Sequence, residues 1–196
     1  MNKAVVCLGL GACLGLAAGL QVLVRAQAPP ARNQGSGAGY QMLQNLEAKA
    51  RAALKDGNTR SAASHASELL KKNADKSSWN YGNVVYEANQ ILGLAALKEG
   101  RVAAAKQYLL AAGKTRGSPQ LDSFGPEMTL AQELLKKGEK QVVLDFLDLV
   151  AKFWATPKAG MPAQFAGLYK QHAAKIQQWK NEIQAGRQPS LNRFGF

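Results

Sequence analysis

Small and apolar residues return along this chain every three or four positions, in runs that lead into a glycine and then begin again. Three such stretches cover residues 46–70, 91–112 and 130–150, and their glycines are Gly57, Gly100 and Gly138. The spacing is that of an amphipathic helix with one buried face. A glycine between two such runs supplies the left-handed backbone that closes the first helix. Each unit therefore reads as a helix, a tight turn and a second helix. A recurrence of about 40 residues is the mark of stacked helical pairs.

The pattern predicts seven helices between residues 41 and 185. The first, over 41–55, would bury Leu43, Leu46, Ala50, Ala53 and Leu54, and the second, over 59–72, Ala62, Ala66, Leu69 and Leu70. Ser77 or Ser78 can cap the third, which carries Val84, Val85, Ala88, Ile91, Leu92 and Ala95. The fourth spans 101–112. Pro126 can open the fifth, where a missing N–H does no harm. The sixth carries Val142, Val143, Phe146, Leu147, Val150 and Phe153. The last follows Pro162 and pairs Phe165, Leu168, Tyr169, Ile176, Trp179 and Ile183 with lysines on its other side. No alternating strand pattern interrupts the array, so the fold class is all-α in a single domain over residues 41–186. Residues 75–81 and 114–127 are expected as loops, with Tyr81, Asn80, Gly82 and Asn83 in an enlarged one, a usual place for specificity. Trp79 and Trp154 are expected as wedges between units.

Leu92, Gly93, Ala96, Gly100, Ala105, Leu109 and Ala112, followed by Pro119, resemble the tetratricopeptide repeat (TPR), a helical hairpin of ~34 residues. The likeness covers residues 42–155 and is best in the middle unit. The intervals are longer than one repeat, and the large aromatic usual near the start of the first helix is absent at Leu46 and Asn89. The resemblance implies a TPR-like α-solenoid of about three helical hairpins that binds proteins or peptides, and it names no ligand. The helix over 163–185 would cap the apolar face that the last unit otherwise exposes.

The chain ends differ from this body. Lys3 is the only charge before an apolar run over residues 4–24, and Ala26, Gln27 and Ala28 form a small-x-small pattern suited to signal peptidase. Residues 1–28 therefore read as a cleaved signal peptide, an uncleaved membrane anchor of sufficient length, or a lipoprotein leader ending at Cys13. Export to the periplasm or cell envelope is the shared expectation. Both cysteines, Cys7 and Cys13, lie in this segment, so its removal leaves no thiol for a disulfide, a cysteine zinc site or a nucleophile. Residues 29–40, rich in Pro, Gly, Ser, Asn and Gln, read as a flexible linker, and residues 187–196 as a mobile tail.

Charge adds a choice of partners. The net charge is +12, and after Thr156 the residues Lys158, Lys170, Lys175, Lys180, Arg187 and Arg193 face only Glu182. That end is either a solvated cap face or a surface for anionic lipid or an envelope polymer, led by Lys170, Lys175 and Lys180. Nucleic acid is not expected for an exported chain.

Catalytic chemistry finds little support. Gly113, Lys114 and Thr115 imitate the end of a phosphate loop, but Tyr108 stands where its first glycine is required, and the motif follows a helix instead of opening one. His65 and His172 belong to no metal-binding spacing. Asp145 and Asp148 fit ordinary helix amphipathy. There is no Gly-x-Ser-x-Gly elbow. No enzyme activity, cofactor or metal is expected.

In the family the first helix of each hairpin lines a concave groove. That frame directs Lys55, Lys98 and Lys136, each two residues before a turn glycine, along the groove as a ladder of amines, with Arg51, Glu87, Gln90 and Gln132 also inward. Such a groove would suit an acidic or carboxylate-ended peptide. The carboxylate clamp of some members is not matched, since Glu47 stands where a clamp lysine is expected. A lysine before a helix-ending glycine also complements the helix dipole without any ligand.

Overall fold

The computed structural model describes residues 34–191 apart from residue 159. The signal, anchor or lipoprotein segment of residues 1–28 lies outside the described residues, as do residues 192–196. Among the described residues there are eight α-helices and no strand. They are α1 (Gln34–Lys55), α2 (Thr59–Lys72), α3 (Tyr81–Lys98), α4 (Val102–Gly113), α5 (Pro119–Phe124), α6 (Thr129–Lys136), α7 (Lys140–Trp154) and α8 (Ala166–Gln184), the last preceded by a 3₁₀ turn (Ala163–Phe165).

The pairs α1/α2, α3/α4 and α6/α7 are closed by the same turn. Gly57, Gly100 and Gly138 have φ of 79°, 77° and 84°. At each, the glycine N–H bonds the carbonyl three residues back, and the next residue's N–H bonds the carbonyl five back. In the first turn these are Gly57 to Leu54 and Asn58 to Ala53. This is the Schellman closure, which satisfies the last carbonyls of the ending helix. A third bond, from the first residue of the following helix back to the glycine carbonyl, also recurs in all three turns. Gly186 closes α8 with the first two bonds.

Helix α3 is the centre of the packing. It is buried on nearly every side, and it lies against α2, α4 and α6. A helix apolar all round belongs inside. Its residues join two apolar clusters. Val84, Ala88, Ile91 and Leu92 meet Leu46 and Ala50 of α1 and Ala62, Ala66 and Leu69 of α2. Tyr86, Ala96 and Leu97 join the larger core that α4, α6, α7 and α8 complete. Each fully buried leucine or isoleucine there contributes roughly 1.5–3 kcal/mol. At the far end, Trp154 of α7 stacks on His172 of α8 with ring centroids 4.2 Å apart, and His172 Nδ1 lies 2.9 Å from the Trp154 carbonyl oxygen.

Several expectations are corrected. Helix α1 begins at Gln34, inside the stretch assigned to the linker, because a helix once nucleated extends cheaply through neighbours without apolar periodicity. Pro126 opens no helix. The stretch expected as a loop instead folds a short helix, α5, with Pro119 in its first turn and the Ser118 hydroxyl accepting from the Leu121 N–H at 3.1 Å. Neither Ser77 nor Ser78 caps α3. Ser77 is held by the Asp75 carboxylate, and Asn80 occupies the N-cap position. Tyr81, Gly82 and Asn83 therefore form the first turn of α3 and not a loop. Trp79 is no wedge, being 54% exposed with its ring against Tyr40. Phe165 and Leu168 stand exposed at the start of the last helical segment. The tail returns to the body at Leu191, which is buried and whose N–H donates to Gln132 Oε1 at 2.7 Å.

Close approach, not turn conformation, fixes one further glycine. The Thr115 hydroxyl donates to the Gly82 carbonyl at 2.9 Å, and a Cβ on Gly82 would overlap the Gly117 carbonyl. Gly57 has open space around it and only its positive φ to protect. Gly82→Ala is therefore expected to destabilise by about 3 kcal/mol, because backbone must move, against about 1 kcal/mol for Gly57→Ala. Urea unfolding of both variants checks this, and equal losses would refute the backbone contact.

Candidate functional site

The C-terminal halves of α1 and α3 and the segment leading through α6 border an open cavity of about 540 Å³. Its floor is apolar, built from Leu54 of α1 and Leu94 and Leu97 of α3. Around that floor stand Arg51, Lys55, Lys98 and Lys137, with Glu127, Thr129 and Glu133 on the side of α6. The repeated turn explains the arrangement, since each hairpin ends its first helix at a Schellman glycine and so delivers its last turn to one edge.

Arg51 is the hub. Its Nε is 3.1 Å from Glu47 and its Nη1 3.2 Å from Glu127, and its second terminal nitrogen bonds Glu87. One guanidinium thus ties α1 to itself, to α3 and to the segment before α6. Burial works against its charge, but Glu87, Glu127 and Glu47 outweigh burial and raise its pKa above the ordinary arginine value. The side chain is still part-exposed, so each pair is worth about 0.2–1 kcal/mol. The hub serves mainly to fix position.

The amine ladder is only partly assembled. Lys55 lines the cavity. Lys98 lines it as well, and its Nζ donates to the Leu54 carbonyl at 2.9 Å. The cation therefore caps the neighbouring hairpin's first helix rather than its own, a favourable place for positive charge. Lys136 leaves the row because Glu133, one turn back, holds its amine at 2.7 Å. Lys137, the C-cap residue, lines the cavity in its place. Gln132 is not offered to the cavity but holds the returning tail at Leu191. A smaller cavity of about 320 Å³ opens between that tail and Gln132, sharing Glu127, Thr129 and Glu133 with the first.

Gln90, expected inward, is 1% exposed, and neither end of its amide has a protein partner. It follows Glu87 by three residues on α3 and precedes Leu94 by four, which puts it on the helix face between the hub and the cavity floor. Elsewhere, Lys180 pairs with Asp148 at 2.5 Å and Lys175 lies 5.6 Å from the Trp179 ring centroid, while Lys170 is exposed. Two of the three lysines of the alternative basic surface thus also serve the packing of α8.

Among the described residues no group of three or more His, Cys, Asp or Glu side chains is placed to hold a metal, and no helix is long and apolar enough to cross a membrane. Sequence reasoning missed Glu127 and Lys137. Their positions follow from α5 and the short α6, and no spacing signal along the chain marks them. Comparison with protein-family models, curated proteins and solved structures finds no match.

A buried amide without partners lowers stability by about 1–3 kcal/mol. Gln90→Leu, close in volume and free of that penalty, is therefore expected to raise the melting temperature by about 2–6 °C. A calorimetric scan showing a lower melting temperature would mean that the Gln90 amide is satisfied in solution.

Proposed function

We propose that this chain is a non-catalytic binding scaffold, a TPR-like α-solenoid exported to the bacterial cell envelope, whose groove receives a protein or peptide segment. The single observation that carries the reading is the cavity of about 540 Å³ with an apolar floor of Leu54, Leu94 and Leu97 under Lys55, Lys98 and Lys137. The three shared glycine turns support the repeat architecture, and the apolar run over residues 4–24 supports export. The carboxylates at the rim are already engaged, Glu127 by Arg51 and Glu133 by Lys136. Positive charge is left over above an apolar floor. The occupant that complements this is a segment pairing an apolar side chain with a carboxylate.

The test is affinity capture from envelope extract with the full chain and with a Lys55→Glu, Lys137→Glu double variant, washed at low and high salt. One dominant protein retained by the wild type in both washes, and lost by the variant at an unchanged melting temperature, is the expected result. Equal capture by both chains would remove the cavity from the function.

A second reading rests on Met161, Phe165 and Leu168, which are exposed around the start of α8 and lie near Lys170 in sequence. Apolar side chains beside amines suit an anionic membrane surface. Vesicles containing about one-third anionic lipid would then retain the wild type at low salt and release it as screening shortens to ~3 Å at 1 M. A Phe165→Ser, Leu168→Ser double variant is expected to lose that binding. Retention of the double variant equal to wild type would refute this reading.

A further inference from the structure

A second, chemically different furrow runs between α1, the first turn of α3 and α5. Two cavities, of about 280 and about 270 Å³, share Glu47, Asn83 and Gln120 and so form one continuous depression. Aromatic rings stand at both ends. At one, Tyr40 lines the furrow and packs on the exposed Trp79, with ring centroids 5.4 Å apart. At the other, Phe124 lines it and is 63% exposed. Between them the wall carries the side-chain amides of Gln44, Asn80, Asn83 and Gln120, together with the Arg51-paired carboxylates of Glu47 and Glu87.

Two of these amides are held in an unusual state. Asn80 occupies the N-cap of α3, where such a side chain ordinarily accepts from the helix's first N–H groups. Here it makes no cap bond, it is 5% exposed, and its Oδ1 has no protein donor. Gln120 Oε1 is likewise enclosed without a donor. An enclosed acceptor left without a donor lowers stability by about 1–3 kcal/mol, and native structures rarely keep one without a reason.

We propose that this furrow binds a neutral oligosaccharide. Sugar hydroxyls donate and accept at once, as side-chain amides do, and rotation of the Asn80 and Gln120 amides toward the furrow would bring their enclosed oxygens within reach of those donors. The C–H faces of pyranose rings need flat apolar surface, which Tyr40, Trp79 and Phe124 offer at the two ends. A free anion is a poorer match, because the one guanidinium in the furrow, Arg51, is already paired with Glu47, Glu87 and Glu127. An apolar peptide side chain is a poorer match too, since apolar surface is concentrated at the ends. This site does not depend on the cavity over Leu54, and neither proposal requires the other.

The test titrates the full chain with cellotetraose, maltotetraose and chitotetraose, and with tetra-alanine as the peptide control, followed by calorimetry and tryptophan emission. Trp154 and Trp179 are buried, so an emission change reports Trp79 beside Tyr40. At least one tetrasaccharide is expected to bind saturably with a Kd of about 10 μM to 1 mM and to shift the emission to the blue. An Asn80→Ala, Gln120→Ala double variant is expected to weaken binding by about tenfold or more. Phe124→Ala, on an exposed side chain that the fold does not need, is expected to weaken it at an unchanged melting temperature. Lys55→Glu should bind the sugar as wild type does. No saturable binding of any tetrasaccharide at about 10 mM, unchanged affinity in Phe124→Ala, or equal binding of tetra-alanine would each overturn the proposal.

Discussion

Everything in this fold hangs on a backbone constraint repeated at Gly57, Gly100 and Gly138, where a helix ends in left-handed conformation with the same three hydrogen bonds. The Schellman closure satisfies carbonyls that would otherwise face a crowded helix end, and the extra bond back to the glycine carbonyl starts the next helix at once. With so little chain between them, the two helices of a pair can only fold back on one another. The three pairs also end their first helices in the same way, so their last turns can serve as building material for a common surface. Lys98 shows the consequence, since its amine closes the carbonyl end of α1 in the preceding pair. Turn geometry thus determines both local helix ends and contacts between pairs.

The second constraint is electrostatic. Arg51 gathers Glu47, Glu87 and Glu127 from three parts of the chain. It lines both the apolar, amine-rimmed cavity and the amide-lined furrow. Because its charge is already matched, the two depressions differ in character on either side of it. Toward the turns, Lys55 and Lys137 leave an excess of positive charge over leucines. Toward the start of α3, amides and aromatic rings dominate.

How much of this was legible in the sequence depended on whether the signal was periodic. The turn glycines, the helix faces and the all-α class follow from spacings of three, four and about forty, and those were readable because backbone geometry enforces them. Helix α5 was not, since six residues give less than two turns of pattern, and its determinants are the Ser118 cap and Pro119 rather than an apolar stripe. Of the ladder, Lys55 and Lys98 line the cavity, while Lys136 does not. Counting back from a glycine fixes where a lysine leaves the helix, not which carboxylate captures it, and Glu133 sits one turn away. Glu127 and Gln120 were invisible as site residues because the connections between pairs, which carry no period, bring them in, whereas Asn80 was marked only through the loop it was expected to join.

Those connections are where the chain departs most from a plain array of hairpins. Gly82 admits the Gly117 carbonyl against the start of α3, Arg116 donates to the Ser78 carbonyl at 2.9 Å, and the Tyr86 hydroxyl donates to the Glu127 carbonyl at 2.5 Å. Three separate bonds and contacts therefore fasten the segment between α4 and α6 down onto α3 and the turn just before it. A loop held only to join two helices needs no such fastening, and connections usually stay mobile at the surface. Fixing this one places Gln120 and Phe124 opposite α1 and holds them there. Asn80 and Gln120, each with an enclosed acceptor that no protein group serves, are thereby set along one furrow.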